Sequence, residues 1–135
     1  MTVAIEGGCL CGAVRYRVTG RPLESVYCHC RQCQLSAGAP VIAWLNVPRA
    51  KFEYHVGEAS SFASSGRAVR EYCRQCGTQL VFRSLEHTDT IDINVHTLDE
   101  PDRYPAEYHI FFDERVPWMN YEDGLPRYAG EATDD

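Results

Sequence analysis

The chain contains 135 residues, of which 44% are apolar and 24% charged, and its formal net charge is −6. A chain of this length and composition is typical of one soluble globular domain, which can bury roughly two-thirds of its unfolded surface. The negative balance and the absence of a Lys/Arg block argue against non-specific binding to nucleic acid.

Alternation of apolar and polar residues predicts short strands along most of the chain. In chain order the predicted strands are 13–18, 24–27, 41–47, 52–56, 61–64, 68–72, 79–83, 90–95 and 107–112. One helical turn is predicted for 34–38, because Gly38 and Pro40 oppose a longer helix. Short strands separated by Gly and Pro turns indicate an all-β fold, with one domain over 1–130 and an acidic, frayed tail over 131–135.

Seven cysteines are the unusual part of the composition. An odd count does not suit a secreted disulfide scaffold, and the first eight residues lack the basic and apolar regions of a signal peptide. No apolar run approaches the roughly 18 residues that span a bilayer. We therefore expect a cytoplasmic protein with metal-bound thiols and no membrane partner.

The cysteines fall into three short motifs, in which thiolates lie so close that they repel one another unless a cation such as Zn²⁺ holds them. The motifs are Cys9-Leu10-Cys11, Cys28-His29-Cys30-Arg31-Gln32-Cys33 and Cys73-Arg74-Gln75-Cys76. The last is followed by Gly77, whose permissive backbone suits a tight turn with both sulfurs facing one ion. A thioredoxin-type dithiol is the competing interpretation, but it requires a helix where strands are predicted.

Two partitions of the cysteines are open. In the first, the motif at Cys9 joins the motif at Cys73 in a closed four-thiolate site, and the motif at Cys28 forms a three-thiolate site with one free position. In the second, Cys30 and Cys33 pair with Cys73 and Cys76 as a zinc ribbon, which leaves three cysteines unused. The first partition uses all seven cysteines and predicts two metal ions, and spacing favours it modestly.

Several stretches of the chain are similar to one known family. They are 8–14, 28–33 with 36–39, and 72–78, followed by 97–101, 105–109, 117–118 and 125–126. These stretches resemble the glutathione-dependent formaldehyde-activating enzyme family, which includes the centromere protein V-like domains. The resemblance covers about residues 5–130, and the three cysteine motifs together are highly specific.

The resemblance implies the first partition, with two Zn²⁺ ions per chain. It implies a structural zinc held by Cys9, Cys11, Cys73 and Cys76, and a reactive zinc held by Cys28, Cys30 and Cys33. The implied fold is an all-β tent in which short antiparallel sheets meet over the structural metal. The implied activity is that of a carbon–sulfur lyase, which interconverts glutathione and formaldehyde with S-hydroxymethylglutathione.

The three-thiolate site suits this chemistry, because a metal with an open position would deprotonate a substrate thiol, whose sulfur could then attack an aldehyde carbon. Three cysteinates nevertheless give the site a charge of about −1, which weakens zinc as a Lewis acid. Arg31 and Arg74 could offset that charge, or they could be ordinary solvated loop residues.

The remaining candidate side chains have weaker assignments. His29 should point away from Cys28 and Cys30 in an extended segment, so that it packs or bonds elsewhere rather than acting as a ligand or proton shuttle. His109 is a strand histidine that could do the same, and the two tryptophans, Trp44 and Trp118, are expected in the core. The candidate cations for the two carboxylates of glutathione are Arg67, Arg70, Arg74 and Arg103.

Two functions from different classes are the main candidates, and a zinc-storage or redox-switch role is a third, weaker one. The first is a zinc enzyme that adds a thiol, with glutathione the first choice, to a small aldehyde, or reverses that step. The second is a non-catalytic zinc module that binds a partner, since one fold can serve several functions. Nothing in the sequence indicates an oligomeric state.

Overall fold

The structure is a computed structural model that describes residues 4–133, and this part of the chain contains ten strands and one α-helix. The elements are β1 (Ile5–Gly8), β2 (Arg15–Val18), β3 (Glu24–Cys28), α1 (Arg31–Ala37), β4 (Ile42–Pro48), β5 (Phe52–Val56), β6 (Ser60–Ser65), β7 (Ala68–Tyr72), β8 (Gln79–Ser84), β9 (Thr90–Asn94) and β10 (Tyr108–Ile110). Four single turns of 3₁₀ helix connect them. The predicted all-β class is confirmed.

The strands form two sheets. A three-stranded sheet has the order β1-β2-β5, and a seven-stranded sheet has the order β10-β3-β4-β9-β8-β7-β6. All pairs are antiparallel except β10 with β3, which is parallel. The exception departs from the expected antiparallel sheets, and it is possible because the long excursion between β3 and β10 supplies the crossover that parallel neighbours require.

The two faces of the seven-stranded sheet have different roles, because successive side chains alternate between them. One face buries Leu45, Ile93 and Val81, which lie opposite one another across β4, β9 and β8 and pack with Tyr16 of the small sheet. The other face carries Asn46, Asp92, Phe82 and Arg70 at successive opposed positions. The core therefore lies between the sheets, and the second face lines the cleft described below.

Three of the differences from the predicted elements have a physical cause in the structure. The helix begins at Arg31 rather than at 34, because the sulfur of Cys30 accepts the N–H of Cys33 and caps it. Strand β1 was not predicted, since Gly7 and Gly8 offer no alternating pattern; a Cβ on Gly7 would lie 2.3 Å from the Tyr16 hydroxyl. The last strand is short because Phe111 turns into the left-handed region at φ 51°.

Two other expectations concern the ends and the surface. Trp118 is 72% exposed and does not belong to the core, whereas Trp44 is buried as expected. Residues 134 and 135 of the predicted tail lie outside the described range, and the boundary at 130 stays a prediction. No helix within residues 4–133 is long and apolar enough to cross a membrane.

Candidate functional site

The four-cysteine cluster joins the turns of two hairpins. The sulfurs of Cys9, Cys11, Cys73 and Cys76 all lie within 4.8 Å of one another, with 3.6 Å between Cys9 and Cys11 and 3.8 Å between Cys11 and Cys73. Four sulfurs arranged tetrahedrally at about 2.3 Å from zinc are about 3.8 Å apart. The donor set and its spacing therefore fit a closed four-thiolate zinc site.

Backbone geometry and hydrogen bonds hold the two turns of this cluster together. The β1–β2 turn supplies the first two cysteines and the β7–β8 turn the other two, so the cluster ties the small sheet to the large one. Gly77 adopts φ 80° and donates its N–H to the Cys73 carbonyl at 2.8 Å. The Leu10 N–H reaches the Thr78 hydroxyl at 3.1 Å, which links the two turns directly.

The three-cysteine cluster lies where β3 passes into α1. The sulfurs of Cys28, Cys30 and Cys33 lie within 4.8 Å of one another, and those of Cys28 and Cys33 are 3.5 Å apart. Among residues 4–133, no further His, Cys, Asp or Glu joins this group. The arrangement can hold a zinc ion through three thiolates and leaves a fourth position for another ligand.

Arg70 lies against this cluster and is the charged residue that sequence reasoning did not place there. Its Nη2 is 3.6 Å from the sulfur of Cys33, its Nη1 donates to the Ser36 hydroxyl at 3.1 Å, and its guanidinium lies 5.0 Å from the Phe82 ring centroid. The residue is only 5% exposed, and no carboxylate among residues 4–133 forms an ion pair with it. A buried guanidinium needs a counter-charge, and the thiolates are the one at hand.

The charge of the cluster reflects these contacts. Hydrogen bonds from the thiols of Cys28 and Cys30, with the nearby Arg70 guanidinium, lower the pKa of Cys33 far below its usual range. The same shared hydrogen bonds raise the pKa of Cys28, so the sulfurs hold protons as a set. With three thiolates on Zn²⁺ giving about −1, one arginine would bring the site close to neutrality.

A cleft of about 910 Å³ opens beside the three-cysteine cluster. Its lining includes the three cysteines, the aromatic rings of Trp44 and Phe82, and charged side chains. These charged residues are Arg31, Arg67, Arg70, Glu86, Asp92, Glu114 and Glu131. The four-cysteine cluster does not line the cleft, so the two clusters differ in what can reach them.

His29, next to Cys28 and Cys30, begins a hydrogen-bonded chain that continues through His109 to Asp123. His29 donates or accepts through Nε2 to Nδ1 of His109 at 2.8 Å, and Nε2 of His109 is 2.7 Å from the Asp123 carboxylate. The carboxylate accepts, so His109 carries a proton on Nε2, and when His109 is neutral His29 donates from its own Nε2. Burial, with His109 beside it, lowers the pKa of His29 to about 4 and keeps the ring neutral.

The position of His29 agrees with the expectation that it bonds elsewhere. Its ring stacks on that of His109 with centroids 5.0 Å apart and lies outside the group of sulfur ligands. Its backbone N–H donates to Ile110 at 3.1 Å, and its carbonyl accepts from Gln34 at 2.8 Å. His29 therefore connects the segment that carries Cys28 and Cys30 to β10 and to the first turn of α1.

The four arginines considered as cations for the carboxylates of glutathione lie in different places in the structure. Arg67 and Arg70 line the cleft, whereas Arg74 is exposed on the four-cysteine turn and Arg103 pairs with Glu100 elsewhere on the surface. Arg31 lines the cleft rim and donates to Gln34 at 3.1 Å. A signal for Arg70 was present in the chain, because it lies two residues from Ala68 and so shares a face of β7 with it. Using that signal required the register of β7 in the sheet.

Comparison with known proteins places the chain in a family. Residues 4–114 match the family described as glutathione-dependent formaldehyde-activating enzyme. A protein of Schizosaccharomyces pombe that bears the name uncharacterized lyase is 29% identical, over 73% of this chain and 82% of that protein. A crystal structure of a Rhodobacter sphaeroides protein has the same fold, with a TM-score of 0.57 at 16% identity over 91% of this chain and 98% of that one. The chain therefore belongs to the glutathione-dependent formaldehyde-activating enzyme family.

Proposed function

We propose that the protein is a zinc-dependent carbon–sulfur lyase that joins a thiol, with glutathione the first candidate, to a small aldehyde, or reverses that step. Family membership and the name lyase given to the S. pombe relative support this proposal. The observation that carries it is the contrast between the two clusters. The four-cysteine cluster has a complete ligand set away from the cleft, whereas the three-cysteine cluster has an incomplete one facing it.

The chemistry needs a thiolate, since a free thiol with a pKa of about 8.5 is mostly protonated at neutral pH. Zinc held by Cys28, Cys30 and Cys33 would supply a position at which a thiol loses its proton. In the addition, sulfur forms a bond to the aldehyde carbon, and the carbonyl oxygen gains the proton that the thiol lost. In the reverse reaction the carbon–sulfur bond breaks and the hydroxyl proton returns to the leaving thiolate.

Arg70 offsets the negative charge that three thiolates would give the zinc site. A fourth thiolate brought to a centre of charge −1 would be repelled, and a buried cation 3.6 Å from Cys33 offsets that repulsion. Ser36 holds one side of the guanidinium, and itself donates to Gln79 at 2.9 Å. We assign Arg70 the role of keeping the site neutral enough to accept an anionic sulfur.

The cleft can hold a substrate of glutathione's size, because pockets for small molecules measure roughly 300–1,000 Å³. Trp44 and Phe82 provide apolar wall, and Arg31 and Arg67 lie on the lining where a carboxylate could reach them. Arg67 is exposed and pairs with Glu86 at 3.3 Å, a surface contact that costs little to exchange.

The test combines metal content, thiol binding and product formation. The purified chain should carry two zinc ions. It should also interconvert glutathione and formaldehyde with S-hydroxymethylglutathione faster than the uncatalysed reaction does, as measured by nuclear magnetic resonance. In cobalt-substituted protein, glutathione should change the absorption of the three-cysteine site, and Cys33→Ser should abolish that change. A spectrum inert to millimolar thiols would instead identify a non-catalytic zinc module, and a reproducible content of one zinc would contradict the division into two sites.

A further inference from the structure

Asp92 occupies a distinctive place on the wall of the cleft. Strand β9 presents it between Asn46 of β4 and Phe82 of β8, on the same face of the sheet as Arg70. One carboxylate oxygen, Oδ1, accepts the Asn46 amide N–H at 2.8 Å, and no other hydrogen bond to this carboxylate is formed within residues 4–133. The second oxygen is therefore open to whatever fills the cleft.

Four of the other charged side chains that line the cleft already have partners. Arg67 pairs with Glu86, Arg70 faces the sulfur of Cys33, and Glu114 accepts the backbone N–H of Arg31 at 2.9 Å. Asp92 has no cation partner among residues 4–133.

Two acidic side chains lie close enough to Asp92 to act on its charge. They are Glu24 from the start of β3 and Glu131 from the C-terminal segment. Burial and these two carboxylates raise the pKa of Asp92 to about 6, while the Asn46 amide opposes the rise. This end of the cleft is short of positive charge.

We infer that Asp92 binds the protonated amine of the thiol substrate and thereby makes the cleft selective for thiols that carry an ammonium group. The inference rests on the proposed function, since the thiol end of the same molecule would lie at the three-cysteine cluster. A carboxylate that accepts one amide N–H and faces a partly desolvated cleft gains a charge-assisted hydrogen bond from an ammonium group. The uncompensated charge at Asp92 is then paired only when such a ligand is present.

The spacing of the sheet suits this arrangement. Arg70, Phe82 and Asp92 occupy three successive opposed positions, so two strand spacings, about 10 Å, separate the backbone of Arg70 from that of Asp92. Arg70 reaches towards the cluster and touches Cys33. In glutathione, the sulfur and the γ-glutamyl ammonium are separated by the length of two to three residues, roughly 7–10 Å. The three cysteines and Asp92 line the same cleft, so one ligand can extend from the cluster towards the carboxylate.

The experiment compares glutathione with N-acetylglutathione, which keeps the thiol and both carboxylates but has lost the ammonium group. Binding of each thiol to the zinc-loaded protein is measured by equilibrium dialysis, and adduct formation with formaldehyde is measured in parallel. In the wild-type protein, acetylation should weaken binding about tenfold, the loss expected for one charged hydrogen bond. In Asp92→Asn, which keeps the bond to Asn46, the two thiols should bind within threefold of each other.

Glu86→Gln is the matched control, because it removes an acid from the same cleft that already has a partner. It should keep the tenfold preference of the wild type. Equal binding of the two thiols by the wild type, or a tenfold preference that survives in Asp92→Asn, overturns the inference, since a steric effect of the acetyl group would survive in the variant. A preference for glutathione in binding, with no acceleration of adduct formation above the uncatalysed rate, would uphold the role of Asp92 and refute the lyase activity. Accelerated adduct formation with equal binding of the two thiols would uphold the lyase activity and refute the role of Asp92.

Discussion

Arg70→Gln tests whether the buried guanidinium balances the charge of the three-cysteine site. At 3.6 Å from the sulfur, with an effective dielectric constant near 20, the attraction between guanidinium and thiolate amounts to about 5 kcal/mol. Loss of hydration by the arginine offsets part of this, so we expect the substitution to cost about 1–3 kcal/mol of metal binding. With 1.4 kcal/mol per factor of ten, zinc affinity should fall about 10- to 100-fold.

The assay is competition for zinc with a chromophoric chelator, which resolves the two sites if they release metal in separate phases. In Arg70→Gln one phase should shift and the phase of the four-cysteine site should not, because Arg70 contacts only the other cluster. Arg67→Gln is the control: this arginine lines the same cleft, but its side chain is 81% exposed and should leave both phases unchanged. Wild-type affinity and activity in Arg70→Gln would refute the charge-balance argument.

Four other substitutions test the roles of individual side chains in folding and chemistry. Cys73→Ser should unfold or aggregate the protein, because a structural metal supplies folding free energy, whereas Cys33→Ser should leave it folded and inactive; equal losses of Tm in calorimetry would contradict separate roles. Asp123→Ala should cost about 1 kcal/mol in urea unfolding, because it leaves the buried Nε2–H of His109 without its acceptor, and an unchanged stability would show that the contact does not hold the C-terminal segment in place. Asp92→Asn should stabilise the protein at neutral pH. The pKa of Asp92 in the folded state is about 6, above its ordinary value, so its protonated form contributes stability that is complete at low pH and is lost as the pH rises through about 6. The free energy of unfolding should rise by at most about 3 kcal/mol at pH 7.5 and by about half that at pH 5. An increase that does not shrink as the pH falls would exclude burial of the charge as its cause.

The all-β class and most strands could be predicted because alternation is a local pattern of the chain. The helix start could not, since Cys30 acts as a helix cap through its sulfur, a role that cysteine rarely signals in sequence. Parallel pairing of β10 with β3 depends on a contact between residues about 80 positions apart, which no local pattern encodes.

The grouping of the cysteines could be predicted better than the residues that surround them. Spacing grouped the cysteines, but the choice between two partitions depended on which hairpin turns meet, and the structure brings Cys9 and Cys11 to Cys73. Arg70 and Asp92 belong to no sequence motif. Their position on the cleft depends on how β7 and β9 pair with the neighbouring strands. A cation next to the metal was sought in Arg31 and Arg74 because they are near the cysteines in sequence, whereas the one in contact comes from another strand.

The turn between β7 and β8 also determines which charge the cleft presents to the three-cysteine cluster. Along β7, Arg70 points to the cleft, while the next residue, Glu71, points to the opposite face, where Tyr54 donates to it at 2.6 Å and Arg83 pairs with it. A slip of one residue would exchange the two and place a carboxylate beside the thiolates. The bulge between Glu71 and Tyr72 lies directly before the four-cysteine turn, so the length of that turn fixes the register. Insertions or deletions there would therefore act on the distant cleft by reversing a charge, although the inserted residue itself touches nothing in it.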